Sequence, residues 1–503
     1  MNDAVDPTLP SKPELVIGLV GASGCNLRAA KDAVAAALLP YGYGVVHVRL
    51  SQLMRKVDGG DFLDEIEAEE ERVWRHMDAG DQLRGDSERN DAVAALGMNF
   101  MADHRKAHFS GASADATAFV FDSLKHPDEV ETMRRVYRDR FTLISVHSPT
   151  EQRLKALMKR IAESHGKPQS SADFQSRAEE LMSRDEHDDE QLFGQNVREA
   201  FTLGDVYVPN EPNEEMAAGI GRYLRLFFGD PFLTPTRDEH AMFQAHTAAL
   251  RSADLSRQVG AAICSADGAI VAVGCNEVPK PLGGQYWEGD DPDQRDFQLG
   301  YDSNVKQRDA ALEEAFKRLE AYGLLASEAE LASFMGAIDG TRLANLTEFG
   351  RPVHAEMAAL LDGARRGVAV SGHRLFSTTF PCHNCARHII EAGIVEVVYR
   401  EPYEKSLASS LHSDALIVDP DLEVKDKLVI RRFVGVGPPR YLDLFAKPKR
   451  KDKAGNKAEW SETEATPRLV RTETAYLTNE EDFLDKSLEA VLKVKLSPKQ
   501  QET

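Results

Sequence analysis

Apolar residues recur in two different ways along this chain. In the first 235 residues, short and nearly continuous apolar runs occur at Leu15–Val20, Gly44–Arg49, Ala118–Asp122, Leu143–Val146 and Gly204–Val208. Longer stretches of helical period separate them, beginning with Leu27–Leu39. Strands buried on both faces read as such runs, and helical crossovers between them predict an α/β, doubly wound parallel sheet. Segments 209–213 and 228–235, rich in Pro, Gly and acids, bracket one more helix and place a domain boundary near residue 235.

Beyond the boundary the pattern changes. Arg237–Ala253 has helical spacing, and Val259–Cys264 and Ala269–Gly274 read as two strands joined by the turn Ser265-Ala266-Asp267-Gly268. A long polar segment, Glu277–Arg351, follows, with a helical run at Asp309–Tyr322. Its length marks it as an insertion that covers a site or builds a subunit contact. Short strand runs return at Leu375–Thr378, Val397–Tyr399 and Leu428–Val434. The expected division is 1–235, 236–446 with the insertion 277–351, and an extension 447–503.

Composition narrows the partners. A net charge of −21 over 503 residues disfavours a protein that grips duplex DNA through its phosphates. Only 7% of residues are aromatic, a poor supply for a strand-stacking groove. Five cysteines imply a reducing compartment without a disulfide framework. Met1–Pro13 lacks the basic and apolar regions of a signal peptide, and no apolar run approaches roughly 18 residues, so no membrane span and a cytoplasmic location are expected. The basic stretch Lys447–Lys457 reads as a solvated linker.

The chemistry concentrates in Val353-His354-Ala355-Glu356 and Pro381-Cys382-His383-Asn384-Cys385. One imidazole and two thiolates make three zinc ligands and leave a fourth tetrahedral position for water. Glu356 is placed to move protons without binding metal. H-x-E with P-C-x-x-C is the signature of the zinc nucleobase deaminases. The competing reading is a structural zinc knot, or a redox cysteine pair, with Glu356 idle. Glu277–Arg351 contains neither Cys nor His, so one zinc per chain is expected.

The first strand runs into Gly21-Ala22-Ser23-Gly24-Cys25-Asn26 and then a helix, a context in which backbone amides hold phosphate. Gly21, Gly24 and the acid Asp122 at the end of the third strand are the candidate nucleotide-binding residues. Cys25 stands where a Walker lysine would be and Asn26 where Ser/Thr would be. Phosphoryl transfer is therefore not expected. The element order resembles a P-loop nucleotide kinase, with Arg184-Asp185 and Asp188 at its lid position. A solvated helix face accounts for that charged trio equally well.

The second region resembles the deoxycytidylate deaminase family, of cytidine deaminase-like α/β/α fold. Arg251-Ser252-Ala253-Asp254 with Gln258-Val259-Gly260-Ala261 is similar to its opening helix and first strand. Gly274-Cys275-Asn276 stands where members carry Gly-Tyr-Asn, Cys275 replacing the aromatic residue. The resemblance implies that Asn276 contacts base or sugar and that Tyr403 faces a phosphate; Thr378 beside the metal strand is a candidate hydrogen-bond donor, and Tyr399 a core residue. It also implies hydrolytic deamination of a free deoxycytidine nucleotide and a homo-oligomer. The pairing with a kinase-like domain resembles bacterial anti-phage deoxycytidine deaminases, which consume dCTP or dCMP and of which some are held inactive by a small RNA. The alternatives are a housekeeping dCMP deaminase regulated by nucleotides and, with less support, a polynucleotide cytidine deaminase.

Overall fold

The structure, a computed structural model, describes residues 12–498 other than 65, 168–171, 187–193, 327–329, 340, 342, 345, 347, 404–405, 421–423, 447–448 and 471–474. Asp188 and Lys447 lie outside the described residues. The chain forms two units, Met1–Pro235 with Val434–Thr503, and Thr236–Phe433.

In the first unit, β1 (Leu15–Val20), β2 (Gly44–Arg49), β3 (Thr117–Asp122), β4 (Phe141–His147) and β5 (Val206–Pro209) form a parallel sheet in the order β5-β4-β1-β3-β2. Every residue of β1 is buried, as its unbroken apolar run predicts. Ala30, Val34 and Leu38 of helix Leu27–Leu38 and Met216, Ile220 and Leu224 of helix Asn213–Phe227 cover the face bearing Leu15, Ile17 and Leu19. Helix Ala92–Phe109 lies on the other face, where Gly97 approaches the Phe121 ring so closely that a Cβ would sit 2.3 Å from it.

The carboxyl-terminal extension belongs to this unit. Gly435–Val436 adds an antiparallel edge beside β5, although the sequence pattern extends the second domain to residue 446. Helix Ala475–Leu492 is tied down by the buried Glu480, which accepts from Arg105 at 2.5 and 2.6 Å and from the Tyr137 hydroxyl at 2.7 Å. The Arg105 guanidinium also lies 3.2 Å from the buried Glu14 carboxylate.

In the second unit, β6 (Gly260–Cys264), β7 (Ile270–Cys275), β8 (Arg374–Thr379), β9 (Glu396–Glu401), β10 (Leu416–Val418) and β11 (Leu428–Arg432) are ordered β10-β11-β9-β8-β6-β7. β7-β6-β8 is antiparallel, and β8-β9-β11-β10 is parallel. Helix Arg237–Ala249 covers one face, and helices Ala355–Arg366 and His383–Glu391 cover the other. Two glycines permit this packing. A Cβ on Gly260 would lie 2.0 Å from the Ala245 carbonyl oxygen, and one on Gly274 would lie 2.3 Å from the Ala359 nitrogen. The insertion carries helices Asp296–Leu299, Ser303–Ala321 and Leu331–Ile338. An antiparallel bridge between Glu277 and Val353 closes its base beside His354. Among the described residues, no helix is long and apolar enough to cross a membrane.

Candidate metal centre and active site

Both halves of the metal motif sit at helix N-termini. His354 is the N-cap of Ala355–Arg366, and Cys382 is the N-cap of His383–Glu391, where its sulfur accepts from the Cys385 amide at 3.4 Å. The positive end of a helix favours a thiolate at such a position. Cys382 Sγ lies 3.3 Å and Cys385 Sγ 3.4 Å from His354 Nδ1. Ordinary Zn–S and Zn–N bond lengths in a tetrahedron give an S···N edge of about 3.6 Å, so the donor set fits a zinc ion. Among the described residues this is the group that could hold a metal.

The three donors and Glu356 are electrostatically coupled to one another. Contact with Cys382 holds the His354 imidazole up to about 9. Donation from the Cys385 thiol, with the neighbouring imidazole, draws Cys382 down to about 4. Glu356, in the first turn after His354, is 4% exposed, with Oε2 3.4 Å from Cys385 Sγ. Burial, reinforced by the Cys382 charge, raises its carboxyl above the ordinary value. A carboxyl so placed can both take up and release a proton.

The other candidates separate. Asn276 is buried, its Oδ1 accepts from the Val259 amide at 2.7 Å, and its Nδ2 donates to the Arg257 carbonyl at 2.8 Å. These bonds hold the turn before β6 and leave each end of the amide one further hydrogen-bonding position. Thr378 is a correction. Gly274 and Ser377 both pair with Ala261, and Gly274 faces the metal-bearing helix. By strand alternation Thr378 faces helix Arg237–Ala249 instead, and its hydroxyl accepts from the Gly260 amide at 3.1 Å. Thr379 is the threonine on the metal face, buried, with a hydroxyl that finds no partner among the described residues. Complete burial of Leu375–Thr379 erased the alternation that would have told the two threonines apart.

Tyr403 is half-buried near Cys382, whose charge adds to the burial that raises its phenol. The exposed Arg257 guanidinium lies 5.1 Å over its ring and has no carboxylate partner among the described residues. Sequence reasoning passed over Arg257, although its place beside the Val259-Gly260-Ala261 strand start was a usable signal. Tyr399 is core, as expected, and so are Cys264 and Cys275.

In the first unit, Asn26 caps helix Leu27–Leu38 by accepting from Ala29. Asp122 lies 3.7 Å from Lys31 Nζ. The amides that would cradle a phosphate are engaged: Ser23 N donates to Asp185 Oδ2 at 2.5 Å and Asn26 N to Asn210 Oδ1 at 2.6 Å. Gly24, at φ +98°, packs on the Arg153 backbone, where a Cβ would lie 2.7 Å from the carbonyl oxygen. Any phosphate at Gly21 and Gly24 must displace protein groups first.

Comparison with known proteins bears on the second unit. Residues 235–401 match the family model described as the cytidine and deoxycytidylate deaminase zinc-binding region. That span contains His354, Glu356, Cys382 and Cys385. The chain is 35% identical over 80 residues to ComE operon protein 2 of Bacillus subtilis (strain 168), covering 16% of this chain and 42% of that protein. It is 41% identical over 54 residues to the deoxycytidylate deaminase of Enterobacteria phage T2, covering 11% and 29%. The chain thus spans less than half the length of these relatives. The dCMP deaminase of cyanophage S-TIM5, solved with dCMP and dUMP, aligns over 40% of this chain and 98% of its own, at 20% identity and a TM-score of 0.23.

Proposed function

We propose that unit 236–433 hydrolytically deaminates a free deoxycytidine nucleotide, dCMP or dCTP, to the deoxyuridine nucleotide and ammonia. The observation that carries this reading is the buried Glu356 carboxyl 3.4 Å from Cys385 Sγ, beside three donors spaced for zinc. A purely structural zinc knot gives no reason to bury a carboxyl there with its proton affinity raised.

His354, Cys382 and Cys385 would hold the ion, which supplies, when bound, a water acidified to a pKa near 7. Glu356 carries a proton to N3 of the cytosine ring as C4 is attacked, and then delivers one to the departing amino nitrogen. Asn276 keeps the Arg257–Val259 turn in place. Arg257 and Tyr403 meet the 5′-phosphate, because a guanidinium with no carboxylate partner among the described residues is a ready anion contact in so acidic a chain. Thr379 offers its unpartnered hydroxyl to the base or sugar.

The finer reading is that the enzyme depletes dCTP in antiviral defence, with the first unit acting as its control element. It rests on the resemblance in domain pairing and on the parallel order β5-β4-β1-β3-β2. The deciding assay incubates purified protein with CMP, dCMP, CTP, dCTP and single-stranded DNA and resolves uracil products by chromatography. Glu356→Gln is expected to keep zinc and lower turnover by roughly 10² to 10⁴. Deamination of DNA but of no free nucleotide would overturn the substrate class. Turnover of Glu356→Gln within a few-fold of wild type would overturn the role of Glu356.

A further inference from the structure

The Gly-rich loop after β1 already holds an anion. The Asp185 side chain is 0% exposed, and its two oxygens are shared between the loop and a lysine. Oδ2 accepts from the Ser23 amide at 2.5 Å, and Oδ1 lies 2.6 Å from Lys125 Nζ. An amide and an ammonium converging on one carboxylate is the donor set that a phosphate oxygen would also take.

Each partner is fixed from elsewhere. Asp185 is in helix Gln175–Glu186, and its neighbour Arg184 in that helix donates to Asp78 at 2.7 Å and to Asp81 at 2.6 Å. The Arg184 guanidinium also lies 4.5 Å over the Trp74 ring. Lys125 follows β3; its amide donates to Glu129 at 2.7 Å and its carbonyl accepts from Asn196 at 2.9 Å. Gly24 pins the loop against Arg153. The arrangement is built by four separate chain segments, and the cation that Cys25 does not supply arrives from Lys125.

We propose that Asp185 is an internal anion seated in the phosphate position of the Gly21–Asn26 loop, with Lys125 as the lysine of that position, so that a nucleotide's phosphoryl group binds only when Asp185 is displaced. The carboxylate and the phosphate compete for the same donors. In this state the first unit is closed to nucleotides, and a group that draws Asp185 away opens it.

The test uses the full chain, wild type and Asp185→Ala, with ATP and inorganic phosphate as probes in calorimetry and thermal-shift titrations. Wild type is expected to show no binding at the loop up to millimolar probe. Asp185→Ala is expected to bind at least tenfold more tightly and to gain Tm with probe, and adding Lys125→Ala should abolish the gain. A response to inorganic phosphate alone assigns a free-anion site, whereas a response restricted to ATP assigns a nucleotide site. Should Asp185→Ala fail to fold, Asp185→Asn replaces it, because in either orientation its NH2 group meets a donor, the Ser23 amide or the Lys125 ammonium, and the plug loosens. Wild type binding as tightly as the variant overturns the proposal, and so does a folded variant of either kind that binds none of the probes.

Discussion

Gly274→Ala tests whether sheet packing places the proposed zinc ligands and Glu356. The new Cβ would lie 2.3 Å from Ala359 N and 2.4 Å from Ala355 O, where ordinary contact begins at 3.4 Å. Both atoms are backbone of helix Ala355–Arg366, so no side chain can swing away, and the helix must retreat by about 1 Å. Overpacking of this kind costs roughly 1–3 kcal/mol. For a unit of about 200 residues that lowers Tm by on the order of 3–10 °C. The larger effect is on chemistry, because Ala355 lies between His354 and Glu356, and a 1 Å misplacement costs on the order of 10²-fold in rate. The matched control is Gly260→Ala, whose Cβ strikes Ala245 O at 2.0 Å on the opposite helix. Both variants are expected to lose Tm by calorimetry, and only Gly274→Ala to lose zinc by elemental analysis; Gly274→Ala should also lose turnover by dCMP assay. Full zinc and wild-type turnover in Gly274→Ala, or equal loss of zinc in the two variants, would refute the reasoning.

Other outcomes follow from the same contacts. Cys385→Ala is expected to abolish both zinc content and turnover, since the three-donor set has no spare ligand among the described residues; full occupancy would sink the assignment. Asn276→Ala is expected to cost about 1–3 kcal/mol in the second unit, because two part-buried hydrogen bonds that hold the turn are lost. Its KM for dCMP should rise more than its kcat falls, and a pure kcat effect would refute the positioning role. Burial lifts Glu480 from 4.5 to about 7 in the folded state, so the folded state holds an extra proton between those values. The stability of the first unit should therefore fall as pH rises from about 5 to 7, with Glu14, also raised by burial, adding to the slope. Urea unfolding of Glu480→Gln should show a flatter profile; an unchanged slope would remove Glu480 as its source.

The metal motif was legible in sequence because its geometry is local. His354 and Glu356 flank one residue at a helix start, and Cys382 and Cys385 stand three apart across another, so helix geometry alone sets each pair. Strands β1, β3 and β4 were equally legible, since burial on both faces leaves a nearly unbroken apolar run as its trace. Pairings between distant segments were not. Which of Thr378 and Thr379 faces the metal depends on register against β6 and β7, and complete burial of the strand end removed the polar alternation that reports it. That Gly435–Val436 closes the edge of the first sheet is a matter of two residues, too short for any period to show. The bonds that Asn276 makes depend on a turn 17 residues away, and the anion in the Gly-rich loop comes from Asp185, 162 residues beyond Ser23. Sequence determined which chemical groups the chain carries and on which elements. Only the tertiary structure decided which of them are already satisfied by one another, because hydrogen-bond competition is settled by proximity in space and leaves no period in the chain.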